Sequence, residues 1–304
     1  MYVLIGPVVP ISLRYLNAHL DVWAINFWRM LAGALTLTVI AGLWFRAPLR
    51  RELASGQTWG IIAIMGANSA LSGYLSVWAF AFIPAATGVL LRTIGLPLNI
   101  AAALIFFHDE RAVASKRRLA VGTAVAFAGA LGIALVNTNG NGAADHTLDS
   151  GYLFGCVLMF LTTLLDLLTP LLTKRLLNRA HPIASATMHV WMQFLIFAPP
   201  AILFGSLMHI TRTSATVNGV LFGSGAAGIL IGVVMTFYLI RAAGLIRFNF
   251  TVILMPISTA MFGYLLIDDV LTAGQIVFGL ITLVGCMLVL RTPPRTNDQN
   301  PPPA

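Results

Sequence analysis

The sequence predicts an all-α integral membrane protein with about ten transmembrane helices, in two five-helix repeats of opposite orientation. Three observations predict it. Of 304 residues, 58% are hydrophobic and 9% charged, with a mean hydropathy of +0.88; soluble domains carry about 25% charged residues. The apolar residues form long runs without alternation, so helices rather than a closed barrel satisfy the backbone inside lipid. Finally, one pattern occurs twice: Pro97 and Pro256 each interrupt an apolar run, and an acidic pair follows, Asp109-Glu110 and then Asp268-Asp269.

Taken in order, the spans are as follows. Tyr2–Leu13 is short and carries Pro7 and Pro10. It covers about 18 Å at 1.5 Å per residue and lacks the basic leader and cleavage site of a signal peptide, so the first helix is expected to begin upstream of Met1. Val22–Phe45 and Trp59–Phe82 come next. The short Ile83-Pro84 link makes Trp59–Phe82 and Ala85–Phe107 a tight antiparallel hairpin, and Arg118–Val136 closes the first half. Asn137–Ser150, rich in Asn, Gly and Asp, is the longest internal connection. Gly151–Leu172, Ala184–Phe204, Val217–Ile240, Phe248–Ile267 and Ala273–Leu290 make the second half. The expected organisation is a first repeat over 1–136, an extracytoplasmic linker over 137–150, a second repeat over 151–290 and a disordered cytoplasmic tail over 291–304. Cys156 and Cys286 fall inside apolar runs and read as packed thiols.

The net charge of +8 is distributed by side. Fourteen of the 18 Lys and Arg residues fall on alternate connections: Arg46, Arg50, Arg51; Arg111, Lys116, Arg117, Arg118; Lys174, Arg175, Arg179; Arg241, Arg247; Arg291, Arg295. The opposite connections hold only Arg14 and Arg212, and Arg29 and Arg92 lie within spans. The positive-inside rule then puts both termini in the cytoplasm and the linker outside. Such placement argues against nucleic-acid binding. An odd number of spans per half inverts the second half relative to the first, which is the architecture of carriers. An offset of 159 aligns Pro97 with Pro256, Ala101 with Ala260 and Asp109 with Asp268, and it also places Arg92 on Thr251 and Asn99 on Ser258.

The run from Phe82 to Leu135, with Leu96-Pro97, Phe107-His108-Asp109-Glu110-Arg111 and Gly122 to Gly129, resembles the EamA repeat of the drug/metabolite transporter superfamily. Met255-Pro256 through Asp268-Asp269, with Gly279 and Gly285, is similar to a second copy. Arg29 sits where the family often has an arginine opening its second helix, and Ile5-Gly6 resembles a Trp-Gly of the first. The tryptophan is absent, the second pair is Asp-Asp, and Arg92 and Asp166 are not general family features, so the substrate class stays open. The resemblance implies ten helices in two inverted repeats and a central cavity lined mainly by helices one, three, four, six, eight and nine. It also implies export of amino acids, other metabolites or toxic compounds, or carriage of nucleotide sugars, with no metal or organic cofactor.

The residues add candidate positions. The sixth span carries Thr162, Asp166, Thr169 and Thr173 on one helical stripe. A carboxylate at the bilayer centre costs about 2.5–3.5 kcal/mol on insertion scales, so Asp166 requires a wet cavity or a partner. It reads as a proton-titrating site or an anchor for a substrate amine, or else as a structural carboxylate paired with Lys174 or Arg175. Arg92 suits a substrate carboxylate, or snorkels outward. Counted from the outer ends of their spans, Arg92 and Asp166 differ in depth by about eight residues, roughly 12 Å, so they are not expected to pair. Asn68, Ser72 and Ser76 share one face near Tyr74 and Trp78. The serines read as glue between helices and Asn68 as a site candidate. Asn99 and Ser258, related by the repeat, complete the set. Gly219, Gly223, Gly228 and Gly232 read as small-residue packing motifs, and His189 with Gln193 as core.

These readings describe a secondary transporter of the cytoplasmic (inner) membrane with a small-molecule substrate, room for a coupling proton or cation, and a bilayer or homodimer as partner. The competing class is an intramembrane transferase or hydrolase acting on a lipid-linked substrate, with magnesium on the acidic pairs. Inverted topology puts those pairs on opposite faces, where they share no metal. A channel is disfavoured by the lack of a filter-like segment.

Overall fold

The computed structural model describes residues 6–106, 116–135, 150–177, 179–243, 248, 252, 255–267 and 271–290. Every regular element among them is helical. They are Val8–Asn17 (α1), Val22–Trp44 (α2), Arg46–Leu53 (α3), Gly56–Phe82 (α4), Ala85–Arg92 (α5), Gly95–Phe106 (α6), Lys116–Leu135 (α7), Ser150–Leu165 (α8), Leu168–Leu177 (α9), Pro182–Phe204 (α10), Ala215–Gly223 (α11), Ile229–Ala243 (α12), Met255–Ile267 (α13) and Ala273–Leu290 (α14). A π-helical turn, Ser224–Gly228, joins α11 to α12. The α3 helix and a 3₁₀ turn at Leu207–Arg212 occupy what the sequence reads as connections.

Among the described residues six stretches are long and apolar enough to cross a membrane: Val22–Trp44, Gly56–Phe82, Ala85–Ala102, Ser150–Leu177, Pro182–Phe204 and Ala215–Ala242. Shorter apolar helices cover Leu119–Leu135, Met255–Leu266 and Ala273–Val289. Leu35, Val39, Leu131, Leu203, Leu265 and Leu266 are all exposed, as expected where lipid replaces water as the outer solvent. The protein is an all-α membrane protein. Both acidic pairs, residues 137–149 of the linker and the tail lie outside the described residues.

Short polar side chains fix the helix ends. Asp21 accepts from the Ala24 amide (2.9 Å) to start α2, and its second oxygen accepts from the Ser206 amide (3.0 Å), tying α2 to the end of α10. Ser55 and Ser214 cap α4 and α11 in the same way. Arg14 donates to the carbonyls of Phe80 (3.0 Å) and Ala81 (2.8 Å), satisfying the orphan acceptors at the end of α4.

Glycines set the closest crossings. A Cβ on Gly129 of α7 would stand 2.6 Å from the Thr282 amide nitrogen of α14, so these two backbones touch. Where α2 crosses the π turn, a Cβ on Gly225 would stand 2.6 Å from the Arg29 carbonyl. Of the four expected packing glycines only Gly228 makes a close approach. Gly219, Gly223 and Gly232 have open space at the Cβ position, and the close approaches fall at Gly225 and at Gly228, which meets Val9. The extra residue of a π turn rotates the helix face, which counting by four does not anticipate.

The two ends of the bundle differ in charge. Arg46, Arg50 and Arg51 of α3 lie at the same end as Arg175, Arg179 and Arg241. There the buried Glu52 carboxylate accepts from Thr58 Oγ1 (3.0 Å) and the His181 amide (3.4 Å), and Arg179 donates to Gln57 Oε1 (3.3 Å).

Candidate functional site

Two helices break at matching places, and proline causes both breaks. Pro97 cannot give an amide proton to the Thr93 carbonyl, and α5 ends at Arg92. The Thr93 carbonyl accepts instead from the Leu96 amide (3.0 Å) and from Cys286 Sγ (3.4 Å). Pro170 stands in the same relation to Asp166, and α8 ends at Leu165. Asn68 Nδ2 of α4 donates to the freed Leu165 carbonyl (2.8 Å) and to Thr169 Oγ1 (3.1 Å), splinting the break. Ser69 shares a hydrogen bond with the same Thr169 hydroxyl (3.1 Å).

At the crossing of these breaks, Arg92 Nη2 donates to Asp166 Oδ2 in a salt bridge, while Ser72 Oγ donates to Asp166 Oδ1. This corrects the expectation that Arg92 and Asp166 stay apart. The depth count assumed that both spans start at one level. In fact a Cβ on Gly155 would meet Ile83 and Phe82, so α8 begins more than a turn beyond the start of α5. Gly88 faces Met159, and Gly95 faces Thr163. From the Gly88–Met159 level, Arg92 is four residues on and Asp166 seven; the difference is about 4.5 Å of rise, within reach of an arginine side chain. Neither Lys174 nor Arg175 is the bridging partner of Asp166.

The pair is not in a dry core. The side chains are 42% (Arg92) and 30% (Asp166) exposed, and they line a cavity of about 370 Å³. That volume lies within the range of small-molecule pockets. Its walls come from α1, α4, α5 and α6, the α8–α9 break, α12 and the start of α13. These elements correspond to helices one, three, four, six, eight and nine of the expected fold. The lining is mostly apolar, with Asn99, Thr163, Thr169 and Thr236 as further polar groups. Among the described residues the buried Asn99 Oδ1 has no hydrogen-bond partner.

The structure therefore brings four of the candidate residues to one cavity: Asp166, Arg92, Asn99 and Thr169. Asn68 lies behind Thr169 as the splint. Thr162 is fully buried, its hydroxyl donating to the Leu158 carbonyl (3.0 Å), and Thr163 reaches the cavity instead. Ser258 is buried and donates to the Met255 carbonyl (3.0 Å). Tyr74 and Trp78 pack in aromatic contacts, Tyr74 on Trp23 at 4.4 Å and Trp78 on Phe154 at 5.2 Å. His189 is buried against Gln193, as core. Sequence reasoning reads Ser72 as glue between helices, where it holds Asp166, and passes over Pro170. The readable signal for Ser72 is its i+4 spacing from Asn68, and for Pro170 its i+4 spacing from Asp166.

Residues 153–291 match the EamA-like transporter family. A Haemophilus influenzae protein named "Uncharacterized transporter" is 25% identical over 290 residues, covering 92% of this chain and 91% of its own length. A crystal structure of a protein with 11% identity superposes with a TM-score of 0.61, covering 94% of each chain. That likeness concerns the fold alone.

Proposed function

We propose that this chain, a membrane transporter whose residues 153–291 match the EamA-like transporter family, exports a small zwitterionic metabolite by alternating access. One observation carries the substrate class. Arg92 and Asp166 face each other in an otherwise apolar, solvent-reached cavity at the breaks of two helices. Interrupted helices around a midplane cavity are a recurrent way for carriers to present polar groups to cargo. A substrate carboxylate replaces Asp166 on the Arg92 guanidinium, and a substrate ammonium replaces Arg92 on the Asp166 carboxylate. An amino acid or a similar molecule meets both requirements in one pose, because the two groups already stand in contact. Ser72 keeps Asp166 oriented during the exchange, and Asn99 and Thr169 supply further hydrogen bonds.

The inverted repeat expected from the sequence is in keeping with alternating access, with Asp166 serving as amine anchor or as the group that takes a coupling proton. The Lys/Arg bias supports two cytoplasmic termini in the inner membrane. Counterflow in proteoliposomes is the test. Internal unlabelled amino acid should accelerate uptake of the labelled one in the intact protein and not in Arg92→Gln. Saturable counterflow only with organic cations or sugars would remove the zwitterion reading while keeping the carrier. Flux that neither saturates nor shows counterflow would remove the carrier.

A further inference from the structure

A second cavity, of about 490 Å³, opens at the basic end of the bundle, between α3, the start of α4 and the end of α9. Arg51, Arg175 and Arg179 line it, with Ser55 and Gln57 as further polar groups. Glu52 is also in the wall. Its carboxylate, however, is engaged by the Thr58 hydroxyl and the His181 amide, so three guanidinium groups remain against one committed carboxylate. All three arginines sit at helix ends, beside the ends of the membrane-length stretches Gly56–Phe82 and Ser150–Leu177. Trp59, of a residue type enriched at membrane interfaces, stands beside them, donating its indole N–H to the Leu53 carbonyl (2.9 Å) while its ring stays half-buried.

We infer that this cavity binds the headgroup of an anionic phospholipid. Guanidinium groups match phosphate oxygens in geometry as well as charge. Lipid is favoured over a soluble phosphate because the site continues into apolar surface. Leu53 at its rim is exposed; so are Ile64, one turn below the lining Ile61, and Leu168, two turns below Arg175. Such surface offers an acyl chain a path beside α4 and α9 and offers a soluble phosphate nothing. The occupant would bridge α3 and α4 to α9. Since α9 begins just past the Asp166 break, lipid binding would brace the half-helix on which Thr169 and Pro170 stand. The inference does not depend on which substrate the central cavity takes.

The test uses the full chain, purified and presented with an equimolar mixture of phosphatidylglycerol and phosphatidylcholine. Native mass spectrometry counts retained lipids, and thermal unfolding reads their effect. Phosphatidylglycerol should be retained severalfold in excess, and Arg51→Gln/Arg175→Gln/Arg179→Gln should abolish the preference. Arg46→Gln/Arg50→Gln, which removes charge from the same helix but not from the cavity, should keep it. Single substitutions within the cavity should each weaken retention roughly fivefold, which keeps the test decisive if the triple variant does not fold. The inference fails if the preference survives the cavity substitutions, or if the Arg46/Arg50 control loses as much. It also fails if inorganic phosphate or glycerol 3-phosphate stabilises the protein as strongly as phosphatidylglycerol does, because the site would then be one for soluble anions.

Discussion

Arg92 is the last residue of α5 and Asp166 the first residue beyond α8, so the ion pair joins two chain ends that proline has cut from their helices. Each group is free to reorient without unwinding a regular helix, because the helix is already open there.

Asp166→Asn keeps the shape and the Ser72 contact but removes the charge. Surface expression should stay near the unsubstituted level, while flux falls roughly tenfold or more, as expected for loss of a charge-assisted partner. If flux and its pH profile are unchanged, Asp166 is a structural residue. Asp166→Asn combined with Arg92→Gln should express better than Arg92→Gln alone, since the double variant leaves no uncompensated carboxylate.

Pro170→Ala restores the missing amide opposite the Asp166 carbonyl. Closing the break removes a helix-interior penalty of about 3 kcal/mol, so the variant should unfold at a higher temperature. It should also transport more slowly, because the carbonyl and side chain of Asp166 are returned to a continuous helix. A variant that is both more stable and fully active would show that the break is dispensable.

Asn68→Ala leaves the Leu165 carbonyl without its splint. A buried acceptor left unpaired costs about 1–3 kcal/mol. Thermal stability should fall by that amount, with a smaller effect on the apparent substrate KM than Asn99→Ala, whose side chain faces the cavity directly.

Gly225→Ala forces a Cβ against the Arg29 backbone and should destabilise by about 1–3 kcal/mol through overpacking. Gly219→Ala, with open space at its Cβ, should be silent or slightly stabilising. Equal losses in the two variants would mean that the α2 crossing does not lie at the π turn.

His181, at the basic end outside the spans, is held below its ordinary pKa by burial first and by Arg241 second, against an opposing pull from Glu52. The sign follows from proton linkage. Below about pH 6.5 the unfolded chain protonates this imidazole more readily than the fold does, so stability falls as pH drops from there towards the depressed value. His181→Gln should flatten that part of the stability profile, as read by unfolding midpoints between pH 7 and 5.

Much of the fold was legible because lipid imposes long apolar runs, and each described helix overlaps an expected span apart from α3, which is amphipathic and surface-lying. The resemblance to EamA-like transporters was legible from Met255-Pro256 and the spaced Gly279 and Gly285, which lie within the matched residues 153–291, and from the similar pattern around Pro97. The site was legible by residue type and less so by geometry. Asp166, Arg92, Asn99 and Thr169 stood out as polar groups in apolar runs, yet their pairing depends on the relative stagger of α5 and α8, which Gly155 sets against Ile83 and Phe82. Helix counting assumes unbroken cylinders. It therefore missed the rotation that turns Thr162 away from the cavity and puts the buried Thr163 in its wall, as well as the π turn that moves the close contact from Gly223 to Gly225.

The Arg92–Asp166 bridge also has an electrical consequence. Its two charges cancel, so the pair adds no net charge to the cavity. Moving one uncompensated charge through the membrane field involves about 2.3 kcal/mol per 100 mV; moving a neutral dipole involves almost none. A zwitterion that inserts between the two residues leaves the sum at zero. With Asp166 as the amine anchor of the proposed zwitterion carrier, loaded and unloaded turnover would both be electrically silent; with Asp166 as the coupling-proton site, the unpaired Arg92 charge would make turnover respond to voltage.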